Sequence, residues 1–250
     1  MDRRDFVRAA STALSSAAFL GGCADHAGAG KNLLEGAAPY AYPFVDYWTP
    51  EAFAARLGRL TPLGTGLPSD ADIAMAQDIV QRAPTSSPLE VMRYFASLSQ
   101  VGSSGERFND RWKQYENPII VWFFHATHTV PNGDCTSWCA AFLSWCLERC
   151  GIPSMQSASS QDYAHYAKET LTPLAGDVVV FSDIIDPAHG HVALLVSQSP
   201  DKIEVIGGNQ GSGPPIPSCP SGFPVTTISV AWRKLSGDHG QHIRTYRRYT

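Results

Sequence analysis

The spacing of apolar residues changes once along this 250-residue chain, and the change decides its fold class. Before about residue 170 they recur at helical intervals. After it they gather in short β-branched runs bounded by Gly, Pro, Asp and Ser. "TPEAFAARLGRL" places Thr49 as a cap and Pro50 at a first helical position. "SDADIAMAQDIVQRA" repeats the pattern from Ser69. In "SPLEVMRYFASL", Ser87, Pro88 and Glu90 form a capping-box signature. "NPIIVWFFHATHT" reads either as a short helix or as a buried strand, because a run of bulky residues suits both. "GDVVVFS", "HVALLVS", "KIEVIGG" and "VTTISVAW" read as strands, and "QHIRTYRRY" is placed to close their sheet. The expected class is α+β, an antiparallel sheet following a helical section.

The first residues read as an address. Arg3-Arg4 before Asp5-Phe6-Val7 resembles a twin-arginine export signal, and Ala9–Leu20 supplies its short apolar region. That region is too short and too rich in Ser and Ala to anchor in a bilayer. It ends in Leu20-Gly21-Gly22-Cys23, which resembles a bacterial lipobox with Cys23 as the lipidated residue. The expected organisation is a signal peptide over 1–22, a tether over 23–48, a helical prefix over 49–116 and a main domain over 117–250. Ala24 favours sorting to the outer membrane, which would put the chain on the periplasmic face of a bacterial envelope. The formal charge is −4, and −5 once residues 1–22 are removed. Such a balance lacks the basic stripes that nucleic acid requires.

"DCTSWCAAFLSWCLERCGIP", residues 134–153, holds four of the six cysteines. Thr136 or Ser137 suits a helix cap and Gly151-Ile152-Pro153 a helix stop. Between them the polar residues are few, so the helix is expected to be buried on most sides. Cys139 then falls in the first turn, where the helix dipole favours a thiolate. Cys139 as a small buried hydrophobe is the alternative. Cys146 and Cys150 share its stripe and read as core. A zinc site using all four is disfavoured. Seven helical residues rise roughly 10 Å, whereas each thiolate must lie about 2.3 Å from the ion. A nucleophilic thiol needs a base and the base an orienting group. His191 opens one expected strand and Asn209 ends the next, so a hairpin would make them neighbours at one edge of the sheet.

"WCAAFLSWCLERCGI", "GDVVVF", "GHVALLV" and "GGNQ" together resemble the CHAP and NlpC-type cysteine peptidases and amidases that cut bacterial peptidoglycan. The resemblance covers roughly residues 117–250. It implies a papain-like core with the nucleophile at a helix N-terminus packed on an antiparallel sheet. It also implies Cys139 as nucleophile, His191 as base and Asn209 as orienting residue. Cys139 stands twelve residues before Gly151, as in the NlpC-type pattern, whereas Cys135 is out of that register. Trp138, Ser160 and Gln161 are implied substrate contacts, although Trp138 is also placed to pack beneath the nucleophile. The insertion "GSGPPIPSCPSGFP" departs from the family and is expected to border the cleft.

With one cysteine kept free, Cys135 and Cys219 are the expected disulfide in an oxidising compartment, both lying in loops. His165, in "SSQDYAHYAKE", reads as a surface residue of an amphipathic helix, His189 as a loop residue, and Asp177 as a turn former. The implied reaction is cleavage of a stem-peptide amide through a thiol acyl-enzyme. It needs no cofactor and no metal, and its partners are wall peptides and the membrane that holds Cys23. Amidase and endopeptidase remain equal readings. A non-catalytic envelope lipoprotein that binds wall peptides, or another thiol acyltransferase, would use the same fold.

Overall fold

Ser69 opens the first helix by accepting a hydrogen bond from the Asp72 amide at 3.2 Å, while the Asp72 carboxylate reaches back to the Ser69 amide at 3.3 Å. This reciprocal box starts α1 (Asp70–Arg82). In α2 (Pro88–Ala96) the box is half made. Ser87 accepts from the Glu90 amide, but Glu90 pairs with Arg93 instead of turning back. The computed structural model describes residues 66–129, 133–219 and 222–249. The export signal, Cys23, the tether and the helix expected from Thr49 lie outside the described residues.

Cap chemistry settles the ambiguous run. Asn117 accepts from the Ile119 amide at 2.9 Å, and Pro118 takes the first position of a helix, α3 (Pro118–Phe123). All six α3 residues are buried. The Asn117 side-chain amide also donates to Phe108 and Asp110 carbonyls, each at 2.8 Å, so this buried polar group is well satisfied. The cysteine-rich stretch forms α4 (Cys139–Arg149). The helix expected around His165 is instead one 3-10 turn, Asp162–His165, followed by a short strand, β1 (Lys168–Glu169). Between them Ala167 adopts φ 45°, which no helix can continue through. His165 itself is exposed.

The other strands are β2 (Val178–Asp183), β3 (Gly190–Gln198), β4 (Lys202–Gln210), β5 (Thr227–Lys234) and β6 (Gln241–Arg248). The described strands form one antiparallel sheet in the order β1-β6-β2-β3-β4-β5, so the last strand closes between the first two. The class is α+β. Side chains alternate across the central strands. Val178, Val180, Val192, Leu194 and Ile206 face the helices in the main core. Val179, Phe181, Ala193, Leu195 and Val205 form a second cluster on the other face. Phe95 of α2 meets Phe123, Phe142 and Trp145 edge-on at 5.3, 5.8 and 5.5 Å. Each such pair contributes about 0.5–1.5 kcal/mol beyond its buried area, so the prefix helices share one core with α4. Asp177 accepts from the Leu174 amide and from Arg248, each at 2.7 Å, and thus ties a turn to the last strand.

Two adjacent glycines of β4 take opposite faces. A Cβ on Gly208 would lie 2.2 Å from the Trp138 ring, and one on Gly207 would lie 3.1 Å from Ala193 Cβ. Gly208 is therefore where α4 seats on the sheet. We expect Gly208→Ala to destabilise the fold by about 1–3 kcal/mol through overpacking, read as a lower urea midpoint. An unchanged midpoint would mean that the Trp138 ring is not seated there.

Candidate active site

Trp138, not Thr136 or Ser137, occupies the cap position of α4, and it makes no side-chain cap hydrogen bond. The Thr136 carbonyl instead accepts from Arg111 at 2.9 Å. The backbone N–H groups of Val192, Ala140 and Cys139 itself face the Cys139 sulfur. Those donors stabilise a thiolate. Burial opposes them and is the larger effect, because Cys139 is only 4 % exposed, so its pKa is raised. The helix dipole alone pointed the other way; loss of hydration outweighs it.

The sulfur thus touches β3 at Val192, one residue beyond His191. His191 shares its face with Ala193 and Leu195, and its ring centroid is 6.0 Å from that of Phe181. Its Nε2 is buried without a hydrogen-bond partner, over Gly207, where a Cβ would come within 3.4 Å. Burial, helped by the Arg233 charge, lowers its pKa to about 3. The imidazole is therefore neutral near pH 7, and so is the thiol. Among the described residues no hydrogen bond joins Cys139 to His191.

Gly190, just before the histidine, leaves no room for a side chain. A Cβ there would lie 2.0 Å from the Phe181 carbonyl oxygen and 2.5 Å from the Gln161 amide nitrogen. Gln161 fills that space. It donates to the Phe181 carbonyl at 2.8 Å and accepts from Ser182 at 2.7 Å and Arg244 at 3.0 Å. Its amide is committed to the strands, and Ser160, which accepts from it at 3.2 Å, is buried. Trp138 is fully buried beneath Gly208 and offers no surface to a substrate.

Asn209, the next-to-last residue of β4, has φ 59°, a conformation asparagine tolerates better than most residues. Its oxygen accepts from Thr226 at 2.9 Å and Arg111 at 3.3 Å, not from His191. The β3–β4 ladder (Leu194 opposite Ile206, Leu195 opposite Val205) nevertheless brings both residues to one end of the hairpin. Both line a cavity of about 400 Å³. Arg111 escaped the sequence reading, since a lone arginine in a loop carries no local signal. It is wholly buried and bonds Thr136, Asn209 and Pro224.

A disulfide joins Cys135 to Cys219 with Cα atoms 5.3 Å apart, which pins the insertion beside the approach to α4. Ile216 and Phe223 pack around it. Cys139 and Cys146 are free and buried, and Cys150 is free and half-buried. Among the described residues no three His, Cys, Asp or Glu side chains are grouped to hold a metal ion. His189 is exposed and pairs with Asp186 at 2.9 Å.

A buried thiol at a helix start, set on an antiparallel sheet beside a strand-borne histidine, is consistent with the papain-like class of α+β domains. Residues 130–209 match the family model of the CHAP domain, a span that includes Cys139 and His191 and ends at Asn209. Curated proteins and solved structures gave no match. CHAP domains are in general cysteine- and histidine-dependent amidohydrolases or peptidases, and the match points to peptidoglycan hydrolase or amidase activity in general.

The depressed His191 pKa has a consequence for stability. As pH falls, the unfolded chain takes up the imidazole proton near 6.5 while the folded chain resists to about 3. The contribution is whole above 6.5 and is lost between 6.5 and 3. His191→Gln, which cannot titrate, should therefore lose less stability than the wild type across that window in urea titrations at stepped pH. Parallel curves would refute the buried neutral imidazole.

Proposed function

We propose that this chain hydrolyses an amide bond of the peptidoglycan stem peptide by a thiol acyl-enzyme route, with Cys139 as nucleophile and His191 as base. The observation that carries the reading is the start of α4, where the Cys139 thiol is buried against β3 and backbone N–H groups, Val192 foremost, favour its thiolate. The CHAP match over the same residues supports it. Burial keeps both partners neutral at rest. Proton transfer to His191 then accompanies attack on the carbonyl, rather than preceding it as in a preformed ion pair. The sulfur leaves the amides of Cys139 and Ala140 as it bonds to carbon, and these become donors to the developing oxyanion. His191 returns the proton to the leaving amine, and water releases the acyl group.

Asn209 is the orienting residue in this reading. Its oxygen is already engaged by Thr226 and Arg111, so its hold on the imidazole is the weakest link of the three. Cys139→Ala should abolish release of soluble fragments from purified sacculi, and His191→Ala should lower it nearly as far. Asn209→Ala should be milder, because an orienting group transfers no proton. The double variant Cys135→Ser, Cys219→Ser should keep measurable turnover. Fragment release that survives Cys139→Ala would rule out this nucleophile. Sacculi bound but never cleaved by the wild type would favour the binding-only reading.

We further propose that the protein reaches the bacterial envelope by the twin-arginine route and is held there by lipid on Cys23, outside the described residues. The mature chain should incorporate a clickable palmitate analogue and partition into detergent, and Cys23→Ala should do neither. Replacing Arg3-Arg4 by a lysine pair should block export. Labelling retained in Cys23→Ala would sink the anchor.

A further inference from the structure

The cavity beside His191 is built around an unused cation. It lies between β3 and β5, lined among others by His191, Asn209, Gln210, Ser229, Ala231 and Arg233. Gly207 of β4 pairs with Ser229 and stands between those strands without a side chain, which keeps the space open. Arg233 is half-buried. Its Nε is buried with no partner, and its Nη2 reaches only the Gln210 oxygen, at the 3.5 Å limit. Among the described residues no carboxylate lies within ion-pair distance of it, whereas Arg82, Arg93, Arg107, Arg247 and Arg248 are each paired. The Gln210 amide is itself committed to the Gly207 and Ser229 carbonyls. His191 Nε2, on the same cavity wall, is the second nitrogen left without a partner. A guanidinium presents a fork of donors and no acceptor, so a carboxylate, with two acceptor oxygens and the opposite charge, satisfies it better than a carboxamide, which offers one oxygen and an NH₂.

We propose that this cavity is a carboxylate subsite, in which Arg233 binds a free carboxylate of the peptide substrate next to His191. The assignment rests on the hydrolase reading above and deepens it: the preferred substrates are stem peptides bearing a free carboxylate near the scissile amide, not their amidated forms. Because Arg233 and His191 share the cavity, the bound anion also brings the peptide to the base. A charge-assisted bond of this kind corresponds to roughly ten- to a hundredfold in affinity.

The test uses the Cys139→Ala chain, so that binding is measured without turnover. Two synthetic stem peptides, identical except for a free carboxylate or its carboxamide, are titrated by calorimetry. The carboxylate peptide should bind roughly ten- to a hundredfold more tightly. Arg233→Gln in the same background should erase the difference while leaving binding of the carboxamide peptide in place. Ala231→Asp, which keeps Arg233 but sets a carboxylate on the same face of β5, should erase it too; this second variant serves if Arg233→Gln fails to fold. Equal binding of the two peptides, no measurable binding of the carboxylate peptide, or a preference that survives a folded variant would each overturn the subsite. Hydrolysis of either peptide by the wild type is scored separately. A carboxylate preference without hydrolysis would sink the hydrolase reading and sustain the subsite.

Discussion

Trp138 lies over Gly208 because no side chain stands between the indole and β4, and the rest of the site follows from that contact. The ring anchors the residue before α4, stacks near Phe123 and meets Phe142 edge-on, so the helix enters at one fixed height above the sheet. At that height the first-turn amides and the Val192 amide reach the same sulfur. Seating the indole a side chain's width farther out would part the sulfur from β3. One missing methyl group thus sets the position of the reactive atom.

Arg111 locks the same region from the side. A buried guanidinium is costly unless its donors are met. Here Nη1 and Nη2 are met by the Pro224 and Thr136 carbonyls and the Asn209 side chain, with the Phe223 ring 5.3 Å from the charge centre, while Nε is buried without a partner. These acceptors come from the insertion, the approach to α4 and the end of β4. A single side chain therefore fixes three segments that the chain itself joins only through long connections. The Cys135–Cys219 disulfide closes the same junction covalently. It also explains why Asn209 serves a structural bond first: its oxygen is part of what makes the buried cation tolerable.

Burial also governs the electrostatics. Removing water from Cys139 and His191 destabilises thiolate and imidazolium alike, and the helix-start amides only partly offset this at the sulfur. Nearby, Glu116 is driven the same way, its carboxyl pushed up to about 8 by burial and by Asp134. At these three groups the interior favours the neutral form. The Arg233 guanidinium at the cavity wall weighs further against a protonated His191.

Local chemistry was legible in the chain. Ser69, Ser87 and Asn117 open helices because their side chains answer the amides two or three residues on. The β-branched runs are strands, and the hairpin of β3 and β4 carries His191 and Asn209 to one end, as their positions in those runs require. The thiol at the start of a buried helix was equally readable. What only the tertiary structure decided depends on residues distant in sequence. β6 slots between β1 and β2, Arg111 claims the Thr136 carbonyl, and Gln161 rather than a substrate fills the space at Gly190. The 3-10 turn near His165 ends at Ala167 rather than continuing as a helix. The direction of the Cys139 and His191 shifts belongs to the same group. Capping and alternation are short-range and act between neighbours in the chain, whereas desolvation and the partners of a buried donor depend on the whole packed interior.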